Sequence, residues 1–185
     1  MRALTVAFLS FLLLLIFARS TTVVCGEDST PGVKLEFSAA PEKQEYRVGD
    51  VVKLVFTLRN AGDRDVLVAQ HFVLEEYVWV AILGPDGKEL AWCGKVDGRA
   101  ERPDEFAVLR PGATVRSAVR VSCDAHRESG FILDHAGAYT LSAYYHLPYF
   151  VNSLQRIAGR AAVTTDRIRA KPISIVLRPA ARGEQ

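Results

Sequence analysis

The sequence lacks the short motifs around which many hydrolases and nucleotide-binding proteins are built. It has no His-Glu-x-x-His pair for a metallopeptidase, no phosphate-cradling glycine loop, no Gly-x-Ser-x-Gly elbow and no paired Cys-x-x-Cys. The nearest string to a metallopeptidase motif, HRESG at 126–130, has no second histidine. We therefore expect a protein that is not an enzyme and needs no cofactor.

An excess of charge of either sign is also missing. The chain has 23 basic and 21 acidic residues. Removal of residues 1–20, a predicted signal peptide, takes two arginines and no acidic residue, so that 21 residues of each sign remain. Because proteins that bind nucleic acid usually carry a basic surface, this balance gives no reason to expect nucleic acid as a partner.

The N-terminus has the composition of a signal peptide. Met1-Arg2 precedes an apolar run from Ala3 to Ala18, which is shorter than the about 20 residues of a membrane span. The small residues Ala18 and Ser20 predict cleavage after Ser20. We expect an exported mature chain without a membrane span, located in the extracellular space, periplasm or cell envelope. Its predicted parts are a linker over 21–32, one domain over 33–179 and a flexible tail over 180–185.

Cysteines are few, and the chain has three of them. Cys25 follows the apolar run as a lipidated cysteine would, but Val24 stands where a small residue is expected, so lipidation is the weaker alternative. Cys93 and Cys123 lie inside the predicted domain, and an oxidising compartment favours a disulfide between them. Closing that loop of about 30 residues would stabilise the fold by about 3–4 kcal/mol in the chain-entropy treatment.

Short apolar runs separated by turn residues make up the predicted domain. Residues 77–84, YVWVAILG, are apolar on both faces, which predicts a strand in the middle of a sheet with its outer side covered. Two other runs alternate and place four apolar side chains on one face: Val52, Leu54, Phe56 and Leu58 in the first, and Tyr139, Leu141, Ala143 and Tyr145 in the second. About seven to nine such strands, with turns such as NAGDRD at 60–65 between them, indicate an all-β sandwich.

Four stretches together, VFTLRNAGDRDV, GPDGKEL, LRPGATV and GAYTLSAYY, resemble an immunoglobulin-like antiparallel β-sandwich. The resemblance implies that Trp79 is the core tryptophan of that fold. It also implies that the hydroxyl of Tyr139 is tied back to the backbone. Leu141 stands where antibody domains have a cysteine, so the chain is not a true antibody-type domain.

A closer resemblance is to the non-catalytic β-sandwich found ahead of the catalytic domain in deuterolysin-like metalloendopeptidases. It is carried by Trp92-Cys93-Gly94, Leu109-Arg110-Pro111-Gly112 and Gly137-Ala138-Tyr139. The bacillar intracellular proteinase inhibitor family looks similar at the same level. Either resemblance implies a binding or accessory domain without an active site. For an exported chain, we therefore expect a non-enzymatic module that contacts another envelope or extracellular protein. The second resemblance also suggests an alternative, a protease inhibitor acting through a surface loop.

The most unusual segment runs from Tyr144 to Lys171: the aromatic stretch YYHLPYF is followed by residues 151–171, an unusually long connection between two strands. Connections above about 12–15 residues are usually functional or disordered. Apolar spacing predicts a short helical or irregular insertion near residues 150–165. Because Tyr, Phe and Arg tend to anchor interfaces, the candidate partner-binding residues are Tyr144, Tyr149, Phe150, Arg156 and Arg160. The competing interpretation is a helix that plugs the open end of the sandwich.

Metal binding is a second alternative function. Cys123-x-x-His126 is a two-ligand fragment, and His135 and His146 follow it in the chain. Structural zinc sites usually take four ligands in a fixed spacing, which this fragment lacks. The competing interpretation is loop histidines beside a disulfide cysteine, and on that interpretation we expect no metal.

Overall fold

The chain forms an all-β structure with one short α-helix. A computed structural model describes residues 31–94, 102–123, 129–147 and 151–180, with the backbone alone for 151–153. The predicted signal peptide and Cys25, with most of the predicted linker and tail, lie outside these residues. The elements in chain order are β1 (Leu35–Pro41), β2 (Glu45–Arg47), β3 (Lys53–Asn60), β4 (Val66–Ala69), β5 (Val78–Leu83), β6 (Trp92–Cys93), a 3-10 turn (Pro103–Glu105), β7 (Phe106–Leu109), β8 (Thr114–Arg120), β9 (Gly130–Phe131), β10 (Gly137–Tyr145), α1 (Val151–Ala158), β11 (Ile168–Arg169) and β12 (Ile173–Arg178).

The first sheet is antiparallel and has β3 at its centre, between β1 and β8. The face predicted from the alternation of residues 52–58 is confirmed, because all four apolar side chains on it are fully buried. On the opposite face, Arg59 forms an ion pair with Glu36 of the neighbouring strand at 3.2 Å. One side of this sheet therefore faces the core and the other faces solvent.

The second sheet is built around β10. On one side β10 pairs antiparallel with β5, and on the other it pairs with β12 along its first half and with β11 along its last two residues. β2 adds to β12 as a short parallel strand. The predicted inner face of β10 is confirmed, because its four apolar side chains are each at most 2% exposed.

Aromatic side chains join the two sheets. The ring of Phe37 in the first sheet stacks on Phe56 at 5.6 Å and lies 5.8 Å from the ring of Tyr145 in the second sheet. Phe72 meets Phe37 and Tyr145 edge-on, at 6.1 and 5.9 Å. Such pairs add about 0.5–1.5 kcal/mol each to the free energy gained by burial. The predicted antiparallel sandwich is confirmed by this packing.

Tyr145 also connects the core to the small sheet of β4 and β7. Its hydroxyl oxygen accepts a hydrogen bond from the backbone N–H of Ala69 at 2.9 Å, in a fully buried position. Burial raises the pKa of Tyr145, so the hydroxyl stays neutral. The hydroxyl therefore satisfies a buried backbone donor that water does not reach.

The predicted turn at 60–65 is held by the buried amide of Asn60. Its Nδ2 donates to the carbonyl oxygens of Arg64 and Leu109 at 2.7 and 2.8 Å, and its Oδ1 accepts from the N–H of Gly62 at 3.0 Å. A second side chain that bonds to the backbone is Tyr139, whose hydroxyl donates a hydrogen bond to the carbonyl of His135 at 2.8 Å. This is the hydroxyl-to-backbone contact that the sequence predicts there.

The insertion predicted near residues 150–165 contains α1. Leu154 and Ala158 are buried, at 0% and 6% exposure, and Ile157 is partly buried against the core. After the helix, Ala162 donates to the carbonyl of Asp65 at 2.7 Å and accepts from the N–H of Leu67 at 2.8 Å. The insertion thus packs beside β4, as the plug interpretation predicts. No helix within the described ranges is long and apolar enough to cross a membrane.

We expect Tyr145→Phe to lower the free energy of unfolding by about 1–3 kcal/mol, because the buried N–H of Ala69 would lose its acceptor. Urea unfolding followed by circular dichroism measures this loss. Tyr144→Phe is the matched control, since Tyr144 is the adjacent residue and faces outward; it should change stability by less than about 0.5 kcal/mol. Equal losses in the two variants would contradict the role of the Ala69 hydrogen bond.

Candidate functional site

The outer face of the second sheet carries large side chains on three neighbouring strands. Trp79 of β5 lies opposite Tyr144 of β10, and Tyr144 lies opposite Arg169 of β11. Trp79 is 44% exposed, which is high for a tryptophan. Together with His146 and Arg167, which lie beside Trp79, these residues form the outer-face cluster.

Two arginines lie over the aromatic rings of this cluster. The guanidinium of Arg167 is 5.6 Å from the ring centre of Trp79, and that of Arg169 is 5.4 Å from the ring centre of Tyr144. A cation–π contact contributes about 0.5–1 kcal/mol at exposed sites. The contacts therefore hold the arginine side chains against the sheet and reduce the number of conformations they sample.

His146 supports the indole of Trp79 from the side. The two rings meet edge-on at 5.6 Å, and His146 is only 8% exposed. Its Nδ1 lies 3.3 Å from the carbonyl oxygen of Leu147, whereas its buried Nε2 has no hydrogen-bond partner among the described residues. Burial lowers the pKa of His146, and the nearby charge of Arg167 lowers it further, although the Leu147 carbonyl opposes the shift.

The position of Trp79 contradicts two predictions. The implied core tryptophan is wrong, since Trp79 is 44% exposed and the aromatic core consists of Phe and Tyr rings from other parts of the chain. The prediction of a covered outer side for residues 77–84 is also wrong, because Trp79 and Leu83 are 44% and 42% exposed. The physical reason is that the inner face of β5, with Val78 and Ile82 fully buried, already completes the core.

A groove of about 260 Å³ opens beside Trp79 and Tyr144. Trp92 of β6 and Phe131 of β9 also line it, and their rings meet edge-on at 5.2 Å. The buried Nε1 of Trp92 has no hydrogen-bond partner in the part of the chain that the structure describes. Four aromatic rings therefore line the groove, and two of them also belong to the outer-face cluster.

Two carboxylates, Glu75 and Glu89, line the same groove. Burial raises the pKa of Glu75, which means that its ionised form is disfavoured there. Its backbone has a φ of 64°, an uncommon value for a residue other than glycine. Backbone strain of this kind is often found at functional sites.

The structure separates the predicted partner-binding residues. Tyr144 lies in the outer-face cluster, whereas Arg156 and Arg160 are exposed in and after α1, on the side of β4. Tyr149 and Phe150 lie outside the described residues. Sequence reasoning missed Trp79 as an exposed residue, and it did not place the half-buried Trp92 near it. The exposure of Trp79 could have been suspected from residues 77–84, which are apolar on both faces. Only one of the two faces of such a strand can pack into a core between two sheets.

The structure brings Cys93 and Cys123 together as two thiols. Cys93 of β6 pairs with Gly130 of β9, and the backbone N–H of Cys123 donates to the carbonyl of Phe131 at 3.0 Å. Burial raises the pKa of Cys123, and a hydrogen bond to Cys93 and the charge of that residue raise it further. The disulfide stays a prediction, now with both sulfur atoms in contact.

Metal-ligating side chains do not cluster within the described ranges, where no group of three His, Cys, Asp or Glu residues has a suitable arrangement. His146 is buried against Trp79, and His135 lies beside Asp134. His126 of the predicted two-ligand fragment lies outside the described residues. The metal-binding alternative therefore stays a prediction.

No family model matches the sequence, and no curated protein matches it. The resemblances to the deuterolysin-like accessory domain and to the bacillar inhibitor family stay predictions, and so does the immunoglobulin-like topology. What the structure does show is an all-β sandwich of mainly antiparallel sheets with one short helix.

His146 should make the protein less stable in mild acid. Its folded-state pKa lies below the ordinary value of 6.5, so the unfolded chain binds the proton more readily. The contribution of His146 is fully present above about pH 6.5 and is lost as the pH falls through the lowered pKa. His146→Phe keeps a ring beside Trp79 and cannot titrate. Urea unfolding between about pH 7 and pH 5 should therefore show a smaller loss for this variant than for the wild type, and equal losses would contradict the assignment.

We expect the Cys93–Cys123 disulfide to be present in protein that is produced in an oxidising compartment. Mass spectrometry after alkylation without prior reduction should find both cysteines unmodified, and reduction should make both reactive. Cys93→Ser should leave Cys123 open to alkylation and lower the free energy of unfolding by about 2–4 kcal/mol relative to the oxidised protein. Alkylation of both cysteines in unreduced protein from such a compartment would contradict the disulfide.

Proposed function

We propose that this protein is an exported, non-enzymatic binding module that contacts another envelope or extracellular protein through the outer-face cluster. The observation that supports this most directly is Trp79, a tryptophan held 44% exposed on the face of a sheet. Tryptophan, tyrosine and arginine dominate the binding energy of protein interfaces. The outer-face cluster combines all three types in one patch.

The way in which the cluster is displayed also favours binding. Trp79 and Tyr144 lie on paired strands whose inner faces are packed into the core, so their backbone positions are held firmly. Arg167 and Arg169 are already placed on the rings. Because fewer side-chain conformations would be lost on association, the entropic cost of binding is reduced.

We expect Trp79→Ala to weaken binding of the partner by a factor of about 30 or more, the effect of removing a hot-spot residue worth about 2 kcal/mol. The measurement is cross-linking of the mature protein in its native exported fraction, with each cross-linked product identified by mass spectrometry. A product formed by the wild type should be lost in the variant, while thermal unfolding shows that the variant is folded.

Val108→Ala is the matched control for this experiment. Val108 of β7 is also a large exposed apolar residue, at 47%, and it lies outside the outer-face cluster. Its replacement should leave the cross-linked product unchanged. If Trp79→Ala also leaves the product unchanged, or if both variants lose it, the outer-face cluster is not the binding surface.

A further inference from the structure

The groove beside Trp79 has the features of a site for an organic cation. Four of the residues that line it are aromatic, namely Trp79, Trp92, Phe131 and Tyr144, and two are the carboxylates Glu75 and Glu89. Aromatic faces attract cations through their quadrupole, and they also cover the alkyl chain that carries the charge. Carboxylates add direct charge complementarity.

Among the described residues, no basic side chain neutralises the two carboxylates. Within the described residues, Glu75 and Glu89 form no salt bridge, whereas Glu36 and Glu45 are each paired with an arginine. Neither Arg167 nor Arg169 lines the groove, although both contact rings at its border. A charged Glu75, half-buried and unpaired, is costly until a cation enters.

The groove is continuous with the proposed binding surface. Trp79 and Tyr144 belong both to the outer-face cluster and to the groove. A protein seated on the cluster would therefore place its own side chains at the mouth of the groove. This continuity favours a cation supplied by a protein seated on the cluster over a free small molecule.

We propose that the groove receives a lysine or arginine side chain of the protein partner. The alkyl part of that side chain packs between the rings of Trp79 and Trp92, and its charged end meets Glu75 and Glu89. This assignment rests on the proposed function, because the partner that occupies the cluster supplies the basic side chain.

The test uses the peptide N-acetyl-Gly-Lys-Gly-amide as the probe and NMR as the measurement. The chain has two tryptophans, Trp79 and Trp92, and both line the groove, so their two indole N–H signals report directly on it. We expect both signals to shift with a dissociation constant in the millimolar range. The same peptide with norleucine in place of lysine, which keeps the alkyl chain and removes the charge, should cause no shift.

Variants of the groove carboxylates test whether these side chains bind the lysine of the peptide. Glu75→Gln combined with Glu89→Gln should weaken lysine-peptide binding by about tenfold, while Glu42→Gln, at an exposed position outside the groove, should leave it unchanged. The backbone amide spectrum of each variant shows whether it is folded. Unchanged binding in the double variant would overturn the proposal.

The remaining outcomes also decide between interpretations. Failure of the lysine peptide to shift the indole signals overturns the groove assignment. Tetramethylammonium binding as tightly as the peptide overturns the assignment to a protein side chain. Loss of the cross-linked partner in Trp79→Ala, together with no peptide binding, would leave the proposed function standing and remove only this inference. An unchanged partner in Trp79→Ala would instead remove the proposed function.

Discussion

The packing of Tyr145 between the two sheets is the contact on which the rest of the structure depends. Its ring lies against Phe37 and Phe72, and its hydroxyl accepts the hydrogen bond from Ala69. One side chain thereby links the first sheet, the second sheet and β4. Because consecutive residues of a strand point to opposite faces, burying Tyr145 also directs Tyr144 outward. The core and the candidate binding surface are thus two consequences of the same strand.

Several side chains near the candidate binding surface are in energetically unfavourable environments. Trp79 is 44% exposed, Glu75 carries backbone strain and a disfavoured charge, and the indole nitrogen of Trp92 lacks an acceptor among the described residues. Each of these features lowers the stability of the unbound protein. All three residues line the same groove. Proteins often retain such locally unfavourable features where they bind other molecules.

The local features of the fold follow closely from the sequence. The inner faces of β3 and β10 were predictable because an alternating pattern has a period of two, which matches the geometry of a strand. The turn at Asn60 and the helix within the insertion were predictable for similar reasons, since turn residues and helical spacing act over a few positions. The direction of Trp79 was not predictable in this way. Both faces of its strand are apolar, so alternation alone does not say which face is buried.

The candidate site depends on contacts between distant parts of the chain. Trp79, Tyr144 and Arg169 meet because β5 and β11 both pair with β10, and Trp92 joins them through its contact with Phe131. The sequence by itself determined several of the strands, the faces of β3 and β10 that enter the core, and Tyr144 as a candidate for binding. It did not indicate the short strands β9 and β11. Only the tertiary structure decided that Trp79 faces solvent and that two carboxylates share its groove. The reason is that the order of strands in a sheet is set by the packing of the whole core, and the pattern of any single segment does not contain it.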